Sequence, residues 1–259
     1  MSGPGGEATR PVLATRDGRV GRITLNRPEA MNAVTTELAR ALRDALDELG
    51  RETSIVLIRG AGGNFSVGGD FHHLEGIRHD EDRLRALFGA FREACDLIAE
   101  LPAAVVAVVE GYALAGGFEL MLASDFALVA EDAVVGDNHS NFGQIPGGGS
   151  SQRLPRLVGR QQALGILLTG DRLSGAEAAA RGLAYRAVPR AELEREAEAL
   201  AERFAGKSPA SIAQIKRLVR EGLERPLADG LDVELDAVVR HVGGPEGAEA
   251  FRRFATRGG

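Results

Sequence analysis

The chain has 259 residues, of which 44% are hydrophobic and 26% are charged, so it can build one or two domains with a sizeable core. Its formal net charge of −6 argues against a general nucleic-acid binder. A mean hydropathy of −0.09 and a longest apolar run of seven residues argue against a membrane-spanning helix. The single cysteine, Cys95, excludes an internal disulfide and a cysteine-based zinc cluster. Since no His, Asp and Glu set has metal-ligand spacing, we expect no metal. The start of the chain lacks the pattern of a secretion signal, so we expect a cytoplasmic protein.

The first elements are readable from composition and periodicity. Residues 1–9 are rich in glycine and have no apolar periodicity, which predicts a disordered leader. Apolar and polar residues alternate over residues 20–26, as in a half-buried strand. Residues 35–49 have helical spacing, with Gly50 as the expected stop, and residues 54–59 form a β-branched run typical of a strand.

The central part continues this alternation of strands and helices. Apolar residues at helical spacing over residues 84–98 predict a helix that Pro102 closes. Residues 103–109 are continuously apolar, which favours a strand buried on both faces. A short helix is expected over residues 116–123 and a strand over residues 126–130.

Helices dominate the last third. Ser174 and Glu177 have the spacing of a capping box, and residues 185–188 predict a last short strand. Further helices are predicted over residues 190–205, 209–222 and 227–242. The pattern indicates an α/β core over residues 10–200 with a C-terminal helical region over residues 201–259.

Two glycine-rich loops follow buried strands. The first contains Gly68-Gly69-Asp70, and the second runs over residues 110–119. Glycine at such places provides either a tight turn or a backbone N–H that a ligand can approach. Two N–H groups aimed at one point would form an oxyanion hole.

Five short motifs together resemble the crotonase superfamily, the enoyl-CoA hydratases and isomerases. They are NRPEAMNA at residues 26–33, GGD at 68–70, GYALAGGFEL at 111–120, IPGGG at 145–149 and QRL at 152–154. The resemblance implies a crotonase-like β-spiral of repeated ββα units with a C-terminal helical trimerisation region. It also implies an acyl-CoA substrate, no cofactor beyond the coenzyme A of that substrate, and a homo-oligomer that is a trimer or a dimer of trimers. No nucleic acid and no membrane are expected as partners.

The resemblance also implies roles for single residues. Gly69 and Gly116 match the two amide donors that hold the thioester oxygen as it gains negative charge. The residues that match coenzyme A contacts are Ala30, Met31, Val67, Gly69, Asp70, Phe71 and Gly116. Asp70 could instead cap the helix that follows it.

Glu119 matches one of the two glutamates that hydratases use for acid–base chemistry. It lies one helical turn after Gly116, so its carboxyl group can reach a substrate held at that amide. An acidic residue in the first turn of a helix also offsets the helix dipole, which is the structural alternative.

At the position of the second hydratase glutamate the chain has His139. A Glu–His pair could still activate water and protonate carbon, because neutral imidazole is a competent base. An isomerase would need Glu119 alone. A histidine at this position also resembles the β-diketone (carbon–carbon) hydrolases of the superfamily, but those place an aspartate where this chain has Gly148.

The sequence thus predicts an enoyl-CoA hydratase or isomerase that stabilises a thioester enolate. One alternative is a carbon–carbon hydrolase that uses His139, and another is a catalytically inactive coenzyme A- or RNA-binding member. The walls of the acyl pocket are expected from residues 74–85, an irregular segment by its sequence.

Overall fold

The computed structural model describes residues 10–257, so the leader expected over residues 1–9 lies outside the described residues. The strands are β1 (Val12–Asp17), β2 (Val20–Leu25), β3 (Ile55–Gly60), β4 (Ala104–Val109), β5 (Tyr112–Leu114), β6 (Phe126–Ala130), β7 (Val134–Gly136), β8 (Leu173–Ser174) and β9 (Arg186–Val188). The helices are α1 (Thr36–Glu52), α2 (Phe71–Ile77), α3 (Glu81–Glu100), α4 (Gly116–Ala123), α5 (Ser150–Thr169), α6 (Gly175–Ala180), α7 (Arg190–Ala205), α8 (Pro209–Leu223), α9 (Leu227–Gly243) and α10 (Pro245–Arg257). No helix in this part of the chain is long and apolar enough to cross a membrane.

The larger sheet has the strand order β1-β2-β3-β4-β6-β9, and a smaller sheet has the order β5-β7-β8. In the larger sheet β1 is antiparallel to β2, and the other neighbours are parallel. Ile23 is fully buried and packs in the core with α1, whereas the adjacent Arg22 donates to Glu198 of α7 at 2.5 Å. Successive residues of a strand point to opposite faces, so helices cover both sides of this sheet.

Most predicted elements are confirmed, with instructive exceptions. Gly50 does not stop α1, which continues to Glu52 and ends at Thr53. A Cβ at Gly50 would lie 2.5 Å from Leu101 Cδ1, so the glycine serves helix packing. Residues 74–85 are largely helical rather than irregular, because Asp80 caps α3 within this segment. Strands β1, β5, β7 and β8 and helices α2, α5 and α10 had no sequence prediction, and the division of the chain at residue 200 stays a prediction.

The parallel pair β3 and β4 brings both glycine-rich loops to one edge of the sheet. The carboxyl ends of parallel strands are where open α/β sheets place their ligands. Ser66, in the loop after β3, donates its amide to Tyr112 O at 2.9 Å and accepts from the Leu114 amide at 2.9 Å. The two loops are therefore joined by main-chain hydrogen bonds, which do not depend on the side chains of either loop.

Candidate active site

The NRPEAMNA segment holds the first glycine-rich loop, which follows β3, in place. Asn32 is fully buried and has a left-handed backbone with φ of 56°. Its side-chain amide donates to Ala61 O at 2.9 Å and to Asn64 O at 2.8 Å, while its Oδ1 accepts from the Arg27 amide at 2.9 Å. The hydrogen bonds of Asn32 thus fix the conformation of the loop after β3.

The main-chain contacts of Val34 with the same loop leave the Gly69 amide free. Val34 donates to Gly68 O at 2.7 Å and accepts from the Asp70 amide at 3.0 Å. Because alternate residues of an extended segment point in opposite directions, Gly69 N–H turns away from Val34. Within residues 10–257 it donates to no partner, and Gly69 lines the cavity described below.

The Gly116 amide is the second free donor. It belongs to the first residue of α4, whose N–H has no partner inside the helix. The two loops approach so closely here that a Cβ at Gly68 would lie 2.7 Å from Gly116 N. Gly68 also has φ of +91°, a conformation that favours glycine. Close loop contact therefore places both unpaired amides beside each other.

Glu119 projects from the first turn of α4 into the same region and is almost fully buried. Its Oε1 accepts from the Gly148 amide at 2.7 Å and from the Ser150 amide at 3.1 Å. Burial raises the pKa of the Glu119 carboxyl, against those amides and the charge of His139. Glu119 is therefore a carboxyl group that holds a proton more readily than usual.

His139 begins a short 3₁₀ turn, His139–Phe142, after β7. Its Nδ1 is 2.7 Å from Oδ1 of Asp137, which is fully buried. Burial lowers the pKa of His139, but the hydrogen bond and charge of Asp137 and the charge of Glu119 outweigh it, so the pKa is raised. Burial raises the pKa of Asp137, yet the hydrogen bonds and charge of His139 bring it below its ordinary value.

These groups border two adjoining cavities that share Gly69, Leu74 and Phe88. A small one of about 30 Å³ is lined by Gly69, Gly116 and Glu119. A larger one of about 480 Å³ has His139 in its wall and is otherwise mostly apolar. Its apolar lining residues are Met31, Val67, Phe71, Leu74, Phe88, Tyr112, Leu114, Ala115, Phe142 and Ile145.

The residues expected to bind coenzyme A divide into two groups. Met31, Val67 and Phe71 line the larger cavity. Ala30 and Asp70 are not among the described residues that line it. Asp70 caps α2 by accepting from the His73 amide at 3.0 Å, and its other oxygen accepts from Arg27 at 2.9 Å. The capping alternative for Asp70 therefore describes its position in the fold.

Sequence reasoning missed two members of the site, Asp137 and Ser150. The signal for Asp137 was the carboxylate two residues before His139, a spacing that lets a turn close a side-chain hydrogen bond. No sequence signal singles out Ser150, because its contact with Glu119 is made by a main-chain amide.

Two further features concern reactive or metal-binding groups. Burial in the core raises the pKa of the Cys95 thiol to about 12, so this thiol is a poor nucleophile. Within residues 10–257 no group of three or more His, Cys, Asp or Glu side chains could hold a metal ion.

Comparison with known proteins shows the family of the chain. Residues 15–256 match the sequence profile described as enoyl-CoA hydratase/isomerase. A Bos taurus relative named enoyl-CoA hydratase domain-containing protein 2, mitochondrial, is 35% identical over 232 residues, covering 86% of this chain and 77% of that protein. The crystal structure of an enoyl-CoA hydratase from Bacillus anthracis has a TM-score of 0.90 at 31% identity and covers 95% of this chain and 96% of its own. An enoyl-CoA hydratase from Polaromonas has a TM-score of 0.89 at 30% identity, covering 95% of this chain and 97% of its own.

The profile spans nearly the whole chain, and the structural match extends over both the sheets and the C-terminal helices. Sequence and fold thus give the same assignment. The chain belongs to the enoyl-CoA hydratase/isomerase family of the crotonase superfamily and has the crotonase fold.

Proposed function

We propose that the protein hydrates an enoyl-CoA, or moves its double bond, through a thioester enolate. One observation carries this proposal: the free amides of Gly69 and Gly116 and the buried carboxyl of Glu119 border one small cavity. Its volume of about 30 Å³ suits a single oxygen atom rather than a chain.

The two amides act on the thioester oxygen of the substrate. As a proton leaves or reaches C2, negative charge develops on that oxygen, and donors fixed beforehand stabilise it without rearranging. Main-chain hydrogen bonds between the two loops supply this rigidity, because the Leu114 amide donates to Ser66 O near the two free amides. No cofactor is required, because side chains carry the proton transfers.

In hydration, Glu119 and His139 share the acid–base work. His139 Nε2 takes a proton from water, the remaining hydroxide bonds to C3, and the electrons of the double bond move onto the thioester. Glu119 then delivers its proton to C2. A proton passing from His139 to Glu119 resets both groups and balances the addition of one water. The raised pKa of Glu119 supports its role as the acid.

In isomerisation, Glu119 alone moves a proton between C2 and C4, and the oxyanion hole stabilises the dienolate between the two steps. His139 then has no obligatory proton to carry. Dependence of turnover on His139 is thus the property that separates the two reactions.

A turnover screen over 2-enoyl-CoA, 3-enoyl-CoA, 3-hydroxyacyl-CoA and cyclic β-diketones tests the proposal. It should be run with Gly69→Pro and Gly69→Ala. Proline removes the amide, so kcat should fall on the order of 10²–10³-fold. Alanine keeps the amide, and its Cβ meets only Leu74 Cδ1, at 3.0 Å. Equal activity of a folded proline variant and the alanine variant would contradict the oxyanion role.

A carbon–carbon hydrolase is a second candidate because one observation favours it. Such enzymes place a carboxylate after the histidine, at the position of Gly148. Here Asp137, two residues before His139, supplies a carboxylate to its side chain instead. Cleavage of a cyclic β-diketone that depends on His139, with no turnover of any enoyl-CoA, would establish this candidate instead.

We also infer a homo-oligomer. Helix α9 exposes an apolar stripe made of Leu227, Leu231, Leu235, Val239 and Val242. A row of exposed apolar side chains along one face of a helix is typical of a protein–protein interface. Light scattering of the purified protein should give a mass of three or six chains, and a monomer would contradict the inference.

A further inference from the structure

The carboxylate of Asp137 is an unusual feature of this site because a fully buried acid needs a partner. An ionised carboxylate away from water is costly unless charge or hydrogen bonds compensate it. Asp137 Oδ1 accepts from the His139 side chain at 2.7 Å and faces its main-chain amide at 3.3 Å. Both contacts are to the residue that borders the cavity.

This contact determines which ring nitrogen of His139 faces the substrate. An ionised carboxylate can only accept, so Nδ1 must carry the proton between them. Nε2 has no hydrogen-bond partner within the described residues, and the ring lies in the cavity wall. The neutral ring therefore presents an unprotonated Nε2 to the cavity, which is the form a base requires.

Ser150 contributes to the site through its main chain. Its amide donates to Glu119 at 3.1 Å. Its hydroxyl and Asp137 Oδ2 are both buried and have no hydrogen-bond partner among the described residues. The contacts with His139 are therefore the hydrogen bonds that hold the Asp137 carboxylate.

We propose that Asp137 is a positioning residue that locks His139 with Nε2 toward the substrate and stabilises the imidazolium formed when Nε2 takes a proton. The proposal rests on the proposed function for its chemistry. Asp137 stays ionised throughout and transfers no proton itself. Among the described residues, the charged groups that act on the ring are Asp137 and Glu119, and Arg172 lines the same cavity as His139.

The test combines nitrogen NMR of 15N-histidine-labelled protein with steady-state kinetics. His139→Gln identifies the His139 signals among the five histidines. In the wild type we expect the neutral Nδ1–H tautomer. In Asp137→Asn we expect the opposite tautomer, because asparagine can donate to Nδ1, together with titration of His139 at lower pH. Hydration kcat should fall on the order of 10²-fold or more with little change in KM, as the wrong tautomer costs about 10⁴-fold in the Ser-His-Asp triad.

Asp125→Asn is the matched control, since Asp125 is a mostly buried carboxylate that pairs with Lys216 at 2.7 Å, away from the site. It should leave the His139 signals unchanged. If Asp137→Asn fails to fold, the tautomer of the wild-type protein still decides the matter, because it is measured without any variant of Asp137.

An Nε2–H tautomer in the wild type would overturn the proposal, as would a titration of His139 that Asp137→Asn leaves unmoved. The tautomer needs no substrate. Absence of enoyl-CoA turnover would therefore refute the proposed function separately, while the NMR result would still test the role of Asp137.

Discussion

The two sides of the candidate site are built by different means. On the helix side, main-chain groups do the positioning: Gly116 contributes its own amide, and the amides of Gly148 and Ser150 hold Glu119. On the loop side, His139 lies in a short 3₁₀ turn and is held by one side chain, Asp137. Main-chain positioning tolerates changes of side chain, whereas side-chain positioning depends on one residue.

This difference has a chemical consequence. Under the proposed function, the helix side supplies an oxyanion hole and a buried acid that any enolate chemistry can use. The loop side would then select the reaction of the enolate, because His139 would be the group that activates water. We therefore expect changes on the helix side to affect all reactions and changes on the loop side to select among them.

The largest effect should come from Glu119→Gln. Glutamine keeps the shape and can still accept the two amide hydrogen bonds, but it cannot deliver a proton. Turnover of both 2-enoyl-CoA and 3-enoyl-CoA should fall on the order of 10³-fold, within the usual contribution of a general acid. Binding of a saturated acyl-CoA, measured by calorimetry, should survive. Glu110→Gln, on the adjacent loop, is the control, and lost binding with intact turnover per bound enzyme would make Glu119 structural.

The next effect should be selective. His139→Ala should lower hydration of crotonyl-CoA about 10²-fold while 3-enoyl to 2-enoyl isomerisation stays within a few fold. His139→Glu should not restore hydration by itself, because the new carboxyl would lie beside Asp137 and stay protonated. Adding Asp137→Asn to it should recover part of the rate. If His139→Ala lowered both reactions equally, the prediction that the loop side selects among reactions would be wrong.

The sequence predicted the helix side better than the loop side. Helix α4 and strand β6 have the predicted bounds because apolar runs and glycine positions are local signals. Their order along the chain then brings Gly116 and Glu119 together. Motif resemblance supplied the candidate donors, and the fold places Gly69 beside them.

The missed features depend on contacts between distant parts of the chain. Gly50 was expected to end a helix, but it is required by Leu101, some fifty positions away. Ser150 contacts Glu119 through an amide that every residue type has. Asp137 was within two residues of a candidate base, yet only the direction of its side chain shows that it holds His139.

A smaller effect should follow from Gly148→Ala on the helix side. The new Cβ would lie 2.4 Å from Phe91 Cε1 and 2.7 Å from Glu119 Oε2, so the carboxyl must move. A displacement approaching 1 Å should lower turnover about 10- to 100-fold. Gly165→Ala, where a Cβ meets nothing within 4 Å, is the control and should be neutral. Full activity of Gly148→Ala would show that the main chain does not fix Glu119.

The smallest effect should appear in the pH dependence of the unfolding free energy. It tests the Asp137–His139 pair of the loop side alone. Asp137 raises the folded-state pKa of His139 above its ordinary value of 6.5. A raised pKa adds stability that is complete below the unfolded-state value and is lost as the pH rises through the folded-state value. Asp137 remains ionised in this range because its own pKa is lowered.

Urea unfolding of the wild type and Asp137→Asn at pH 5.5, 7 and 8.5 measures this contribution. The difference in unfolding free energy should be largest at pH 5.5, on the order of 1 kcal/mol or more, and should shrink toward pH 8.5. In a His139→Gln background the same substitution should give a difference that does not vary with pH. A difference that grows with pH would mean that Asp137 does not stabilise the charged imidazole, and the loop side would then need another explanation.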